Sequence, residues 1–162
     1  MTALILRRSQ LLLMLAPVLF AAHIAEEAPG YARWFNGVVA HGIGEQGFIQ
    51  ANIAPLVLTL LLCTAVAWSE RLSVAYLMLA WLAHFMFANA IFHIVATIVL
   101  REYSPGTATA AILYLPYFFW FIPYLRERFR ASWDVIVLIT AMVGLPMYLQ
   151  TYMVVFRHTR YF

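Results

Sequence analysis

The chain has 162 residues, of which 65% are hydrophobic and only 10% are charged. Soluble domains average about 45–50% apolar and about 25% charged residues, so this composition excludes an ordinary water-soluble globular protein and makes lipid the expected solvent. The basic charge, part of a net +3, is carried by arginine alone, in connectors and near the ends, and no basic face alternates with exposed aromatic residues. We therefore expect membrane lipids as partners and exclude nucleic acid.

Five apolar segments are each long enough to cross a hydrocarbon core of about 30 Å, which takes about 20 helical residues. In chain order they are residues 9–27, 45–68, 72–100, 107–125 and 132–155. Three of their connectors are very short, and short connectors make consecutive helices antiparallel. The sequence therefore predicts an all-α fold, an integral membrane up-and-down bundle of about five transmembrane helices, as a single domain over residues 1–162.

The first segment resembles a secretory signal, because a basic start precedes its apolar run. No small-x-small cleavage site follows cleanly, since His23, Ile24 and Glu26 interrupt the candidates. We interpret this segment as a retained membrane helix. Beyond it, residues 28–44 form a Gly-rich connector of a length that is typical of functional or disordered loops. In this connector we predict Tyr31 and Trp34 as interfacial anchors and His41 as a solvated residue.

The arginines also indicate an orientation, because cytoplasmic connectors carry an excess of basic residues. Six lie on the side of the N-terminus, namely Arg7, Arg8, Arg71, Arg126, Arg128 and Arg130. Four lie on the other side, namely Arg33, Arg101, Arg157 and Arg160. This bias predicts an integral membrane protein with a cytoplasmic N-terminus and an exterior C-terminus.

Polar residues of the membrane segments are concentrated at the exterior end of the predicted bundle. The first segment ends in HIAEE, and at 100° per residue His23, Glu26 and Glu27 lie within one 100° arc. His93 lies about 10 Å before the end of the third segment, and Asn89 lies one turn deeper on the same face. These side chains are therefore predicted to meet within one leaflet.

Other polar groups belong to the same end. Glu45 opens the second segment, where the helix dipole favours a carboxylate. Arg101 and Tyr103 lie in the connector after the third segment. His84 is nine residues from His93, about 180° around the helix, so we leave it outside this group.

The acidic pair needs a compensating charge. Two carboxylates about 4–5 Å apart repel each other by about 3–4 kcal/mol at an effective dielectric constant near 20. A proton, Arg33 or Arg101 would relieve this repulsion, and a divalent ion would relieve it most simply. Mixed imidazole and carboxylate ligands suit Zn, Fe or Mn. We therefore predict one divalent metal ion as the cofactor, held by His23, Glu26, Glu27 and His93.

Three motifs resemble those of the HXXEE family of small bacterial membrane proteins of uncharacterised function. They are HIAEE at 23–27, NAIFH at 89–93 and REYSPGTATA at 101–110. The resemblance implies a polytopic membrane protein and supplies no activity. The residues that it carries over are His23, Glu26, Glu27, Asn89, His93, Arg101, Tyr103, Pro105 and Gly106.

The leading functional hypothesis is a metal-dependent enzyme that acts on a lipophilic small molecule entering from the outer leaflet. In it Asn89 orients a substrate oxygen, Glu45 or a non-ligating glutamate moves protons, and Arg101 and Tyr103 contact the ligand. Hydrolase, isomerase and oxidoreductase chemistry all stay open. The alternatives are a metal-free acid–base lipid enzyme of isomerase or cyclase type, an ion or proton transporter, and an accessory subunit without catalysis.

Overall fold

The computed structural model of the protein describes residues 10–69 and 71–159. Within these ranges the chain forms six helices, of which five are long and apolar enough to cross a membrane. They are α1 (Gln10–Glu27), α2 (Tyr31–Val38), α3 (Glu45–Trp68), α4 (Leu72–Leu100), α5 (Thr107–Phe129) and α6 (Trp133–Phe156). The predicted all-helical class with about five long apolar helices is confirmed. Residue 9 and the arginines Arg7, Arg8 and Arg160 lie outside the described residues.

Helix α5 continues past its predicted end at residue 125. Its last turn carries Arg126 and Arg128, and basic side chains near the C-terminus of a helix are favoured by the helix dipole. The end of the apolar run therefore does not end the helix. The polar turn extends α5 to Phe129.

Helix α4 is the centre of the bundle. It buries 44% of its span inside the protein, against 17% for α3 and for α6. Its first half packs against α3, α5 and α6, and its second half packs against α5 and α6. A large apolar cluster surrounds it, and Leu79, Leu82 and Met86 of α4 are fully or almost fully buried there.

Helices α4 and α5 each contain a π-helical segment next to the polar residues. Residues Ala83–Ala88 of α4 and Ala110–Tyr114 of α5 form π-helical turns. Such turns insert a residue into the helix and rotate the next turns about the helix axis, and they are frequent at functional sites. The first π-turn directly precedes Asn89, and the second comes directly after Thr109.

The connector between α1 and α3, expected to be a functional or disordered loop, contains helix α2. Trp34 of α2 is only 6% exposed and packs edge-on against Phe92 of α4, with ring centroids 5.9 Å apart. Asn36 fixes the loop after α2, since it donates to the Ile43 carbonyl (2.7 Å) and accepts from the Ile43 N–H (3.1 Å). Trp34 is therefore part of the protein core, and its predicted role as an interfacial anchor is wrong.

Candidate metal centre

Three of the four predicted metal ligands lie together in the structure. One ligand atom from each of His23, Glu27 and His93 lies within 4.8 Å of the others. Residues four apart in α1 share a helix face, which places His23 and Glu27 side by side, and α4 brings His93 against them. The side chains are almost fully withdrawn from solvent, with exposures of 2%, 5% and 0%.

A side-chain hydroxyl lies within hydrogen-bond distance of the Nδ1 atom of each imidazole. His23 Nδ1 lies 2.7 Å from Thr109 Oγ1, and His93 Nδ1 lies 2.9 Å from Ser104 Oγ. The Thr109 hydroxyl also donates its proton to the Gly106 carbonyl at 3.2 Å. When the Thr109 hydroxyl donates to this carbonyl, Thr109 Oγ1 accepts from His23, and Nδ1 of His23 carries the hydrogen. In a neutral imidazole this leaves a lone pair on Nε2.

The Nε2 atoms of His23 and His93 face the Glu27 carboxylate at ion-pair distances but lack hydrogen-bond geometry. Glu27 Oε1 lies 3.1 Å from His93 Nε2 and 3.5 Å from His23 Nε2. Nevertheless both Nε2 atoms are buried and lack a hydrogen-bond partner among the described residues. Lone pairs and a carboxylate oxygen that face each other in an apolar interior repel unless a proton or a cation lies between them.

The separations also suit a metal ion. Two ligands at about 2.0–2.1 Å from a tetrahedral zinc ion are about 3.3 Å apart. The two separations from Glu27 Oε1, 3.1 and 3.5 Å, lie on either side of that value. The donor set of two imidazoles and one carboxylate therefore fits a divalent ion in its chemistry, and the two separations from Glu27 Oε1 fit it in spacing.

Gly106 closes the cluster from the side of α5. Its φ of +103° lies in the left-handed region that favours glycine. A Cβ atom here would lie 2.8 Å from His23 Cε1, 3.0 Å from Glu27 Cγ and 3.0 Å from His93 Cε1. The peptide backbone at Gly106 therefore contacts all three side chains, and only a residue without a side chain fits.

Glu26, the fourth predicted ligand, lies outside this group. Its carboxylate accepts hydrogen bonds from the backbone N–H groups of Gly106 (3.1 Å), Ala108 (3.1 Å) and Thr109 (2.7 Å), and from the Tyr103 hydroxyl. These N–H groups belong to the start of α5, where the helix dipole favours an anion. The repulsion expected within the acidic pair is thus relieved by separate partners for the two carboxylates.

Tyr103 completes the binding of Glu26. Partial burial, and after it the hydrogen bond to the carboxylate, raises the pKa of the Tyr103 phenol. The phenol therefore stays protonated and acts as the donor. The side chain is 54% exposed, so it covers the carboxylate from outside and does not enter the cluster.

A pocket of about 400 Å³ opens onto the cluster. His23 and Glu27 line it from α1, Asn89 from α4 and Asn52 from α3. The remaining walls are mostly aromatic or small, namely Phe20, Tyr31, Gly42, Ile43, Gly44, Gly47, Phe48, Ala51, Phe85 and Met147. A largely apolar cavity of this size with a few converging polar groups is typical of small-molecule sites.

The other predicted site residues do not all lie at the pocket. Asn89 lines the pocket, and its buried Oδ1 has no hydrogen-bond partner among the described residues. Glu45 and Arg101 are exposed, and neither is among the described residues that line the pocket. Arg101 ends α4 with φ of +55°. Of the predicted catalytic residues, only Asn89 therefore reaches the cavity beside the cluster.

Three further residues considered in the sequence, His84, His41 and Tyr31, each have different neighbours. His84 Nδ1 lies 3.2 Å from the Val143 carbonyl of α6, to which it donates. His41 is exposed in the loop before α3. Tyr31 lines the pocket, and burial together with the nearby Glu27 carboxylate raises the pKa of its phenol. Tyr31 therefore lies against the site, and its position in the membrane interface stays a prediction.

A comparison with protein families matches residues 14–121 to the model described as "Protein of unknown function with HXXEE motif". The match covers more than half of the chain. The chain belongs to the HXXEE family. No curated protein matches it, and no solved structure does.

The residues that define the HXXEE motif, one histidine and two glutamates, have two different roles in this structure. Its histidine (His23) and second glutamate (Glu27) join His93 in the cluster, whereas its first glutamate (Glu26) binds the start of α5. The motif alone does not show which of the two glutamates joins the cluster. The separation depends on where α5 begins, which is a tertiary feature.

Sequence reasoning missed two contributors to the cluster. Ser104 is completely buried and hydrogen-bonds His93. Tyr114 is completely buried, and its ring centroid lies 4.4 Å from that of His23. A serine in a short connector is commonly a turn residue, and an aromatic residue in an apolar helix is commonly packing, so neither gave a signal.

Proposed function

We propose that this HXXEE protein is a metal-dependent membrane enzyme that acts on a lipophilic substrate. One divalent ion (Zn, Fe or Mn) is held by His23, Glu27 and His93, and the substrate occupies the adjoining pocket. The observation that carries this proposal is the convergence of Glu27 Oε1 with two buried Nε2 atoms that have no hydrogen-bond partner among the described residues. The hydroxyls of Thr109 and Ser104 support it, because ligating imidazoles commonly bind a fixed partner through their other nitrogen.

The number of ligands favours catalysis over a purely structural role. Structural zinc sites have four protein ligands, whereas catalytic sites have three and leave a position open. Two imidazoles and one carboxylate, lying beside a pocket, match the second pattern. When bound, such an ion supplies a Lewis acid that polarises a carbonyl or lowers the pKa of water.

The pocket residues supply binding and exclusion of water. Phe20, Phe48 and Phe85 form apolar walls suited to a hydrocarbon group. The Asn89 amide, which lines the same cavity, orients an oxygen of the substrate. Glu26 and Tyr103 act indirectly, since they hold the segment that carries Ser104 and Thr109.

The proposed location is a bacterial cytoplasmic membrane with the N-terminus in the cytoplasm. The five apolar helices support an integral membrane protein. The excess of arginine on the N-terminal side supports the orientation. In this orientation the cluster lies in the outer leaflet, where α1 ends and α5 begins.

Elemental analysis of the purified protein tests the proposal. We expect nearly one equivalent of a divalent metal in the wild type, and a large loss in His93→Ala and in Glu27→Gln. His84→Ala is the matched control, because it removes a partly buried α4 imidazole that contacts α6 instead. A metal-free wild type, or equal loss in His84→Ala, would contradict the proposal.

One observation favours a second candidate, a metal-free enzyme of acid–base type. The separation of 3.1 Å between His93 Nε2 and Glu27 Oε1 is also that of an ion pair, in which a proton replaces the metal. The same samples separate the two candidates. A folded wild type that contains no metal and retains a bound lipid after purification would favour the second.

A further inference from the structure

One wall of the pocket is formed by the first two turns of α3 and the residue before them, and it includes two glycines and an alanine. Gly44, Gly47 and Ala51 all line the pocket, together with Phe48 and Asn52. Their spacing of three and four residues places them on one helix face. Three of the five residues that α3 and its N-cap contribute to the pocket therefore have no side chain or only a methyl group.

The backbone φ angles of Gly44 and Gly47 do not require glycine. Gly42 and Gly106 have φ of +102° and +103°, which few other residues adopt. Gly44 and Gly47 lack such a φ, and a Cβ atom at either would meet nothing within 4 Å. Gly47 lies in the first turn of α3 and is exposed. A larger side chain at position 47 would therefore meet open space beside the pocket.

The same pocket is lined by residues with unsatisfied polar atoms. His23 is 2% exposed, lines the same pocket and has an Nε2 atom without a hydrogen-bond partner among the described residues. Phe20 and Phe85 line the cavity with it. A ligand with a polar end and a bulky apolar body matches these surroundings.

We propose that Gly47 determines the size of the substrate that the site admits, and that the substrate's apolar body lies along Gly44, Gly47 and Ala51 while its polar end lies at the cluster. This inference rests on the proposed function. It adds a substrate class: lipophilic molecules with a bulky hydrocarbon body next to a metal-binding polar group. A large side chain at position 47 shortens the pocket without entering the cluster.

Binding of two hydroxamates to the full-length protein in detergent tests this inference. Decanohydroxamate and acetohydroxamate share the metal-chelating group and differ in the hydrocarbon chain. In Gly47→Phe we expect decanohydroxamate to bind at least about tenfold more weakly, while acetohydroxamate changes by less than about twofold. Gly37→Phe is the matched control, because its Cβ also meets nothing within 4 Å but Gly37 does not line this pocket.

The outcomes separate this inference from the proposed function. Unchanged decanohydroxamate binding in Gly47→Phe, equal loss of both hydroxamates, or equal loss in Gly37→Phe would overturn the role of Gly47. Elemental analysis of the same preparations reports on the metal independently. A metal-free wild type whose decanohydroxamate binding still depends on position 47 would contradict the metal proposal and support the pocket.

Discussion

Individual residues of the cluster show how far a sequence motif specifies a site. Positions four apart on α1 place His23 and Glu27 on one face, and depth along α4 places His93 at the same level. The structure brings these three side chains together. Glu26 is predicted with them because it also lies within the same arc. Its actual partners are backbone N–H groups of α5, which no helical periodicity reveals.

The first prediction at this scale concerns Gly106. Gly106→Ala places a methyl group 2.8 Å from His23 Cε1 and imposes a side chain at φ of +103°. We expect destabilisation by about 1–3 kcal/mol and loss of bound metal, because the cluster must open to accept the methyl group. Thermal unfolding and elemental analysis in detergent measure the two effects. Gly37→Ala is the control, and equal behaviour of the two variants would contradict the contact.

The second concerns the hydroxyl that holds His23. Thr109→Val removes the acceptor 2.7 Å from His23 Nδ1 and preserves the shape of the side chain. We expect metal affinity to fall by about 10–100-fold, because the ring loses the partner that fixes its tautomer and orientation. Competition with a chelator measures the affinity. Thr109→Ser keeps the hydroxyl and should restore most of it, whereas an unaffected Thr109→Val would show that the hydroxyl is irrelevant.

At the scale of helices, the apolar pattern locates the long segments and leaves local departures unseen. The π-turns at Ala83–Ala88 and Ala110–Tyr114 rotate the helical turns after them, and neither has a distinctive sequence pattern. Helix α2 is hidden because its short sequence includes glycine and lies within a Gly-rich connector. Trp34 stabilises it through packing against Phe92, which is a contact distant in sequence.

Glu26 provides the prediction at this scale, since it joins α1 to the start of α5. Glu26→Ala removes a charged acceptor of three backbone N–H groups, so we expect a loss of about 1–3 kcal/mol in unfolding free energy with metal retained. Glu102→Ala removes an exposed carboxylate from the same connector and should change stability by less than about 0.5 kcal/mol. Metal loss in Glu26→Ala without loss of stability would instead make Glu26 a ligand.

At the scale of the whole molecule, composition and the five apolar segments are sufficient to predict the all-helical class. The low burial of α3 and α6 agrees with helices whose outer faces contact lipid. The pocket was not predictable, because it is bounded by residues of α1, α2, α3, α4 and α6 that come together only in the folded bundle.

We expect all five apolar helices to cross the membrane, which would place the two ends of the chain on opposite sides. We expect a reporter that is active only in the cytoplasm to function at the N-terminus and to fail at the C-terminus. A reporter active only outside should show the reverse. Equal activity of either reporter at both ends would contradict the five-span topology, and a complete reversal would contradict only the orientation inferred from arginine.

X-ray absorption spectroscopy at the edge of the copurified metal tests the central claim most directly. We predict nitrogen and oxygen ligands at about 2.0–2.1 Å with outer-shell scattering from two imidazoles in the wild type. Sulfur scattering, or a wild-type spectrum without imidazole, would contradict a metal centre built from His23, Glu27 and His93.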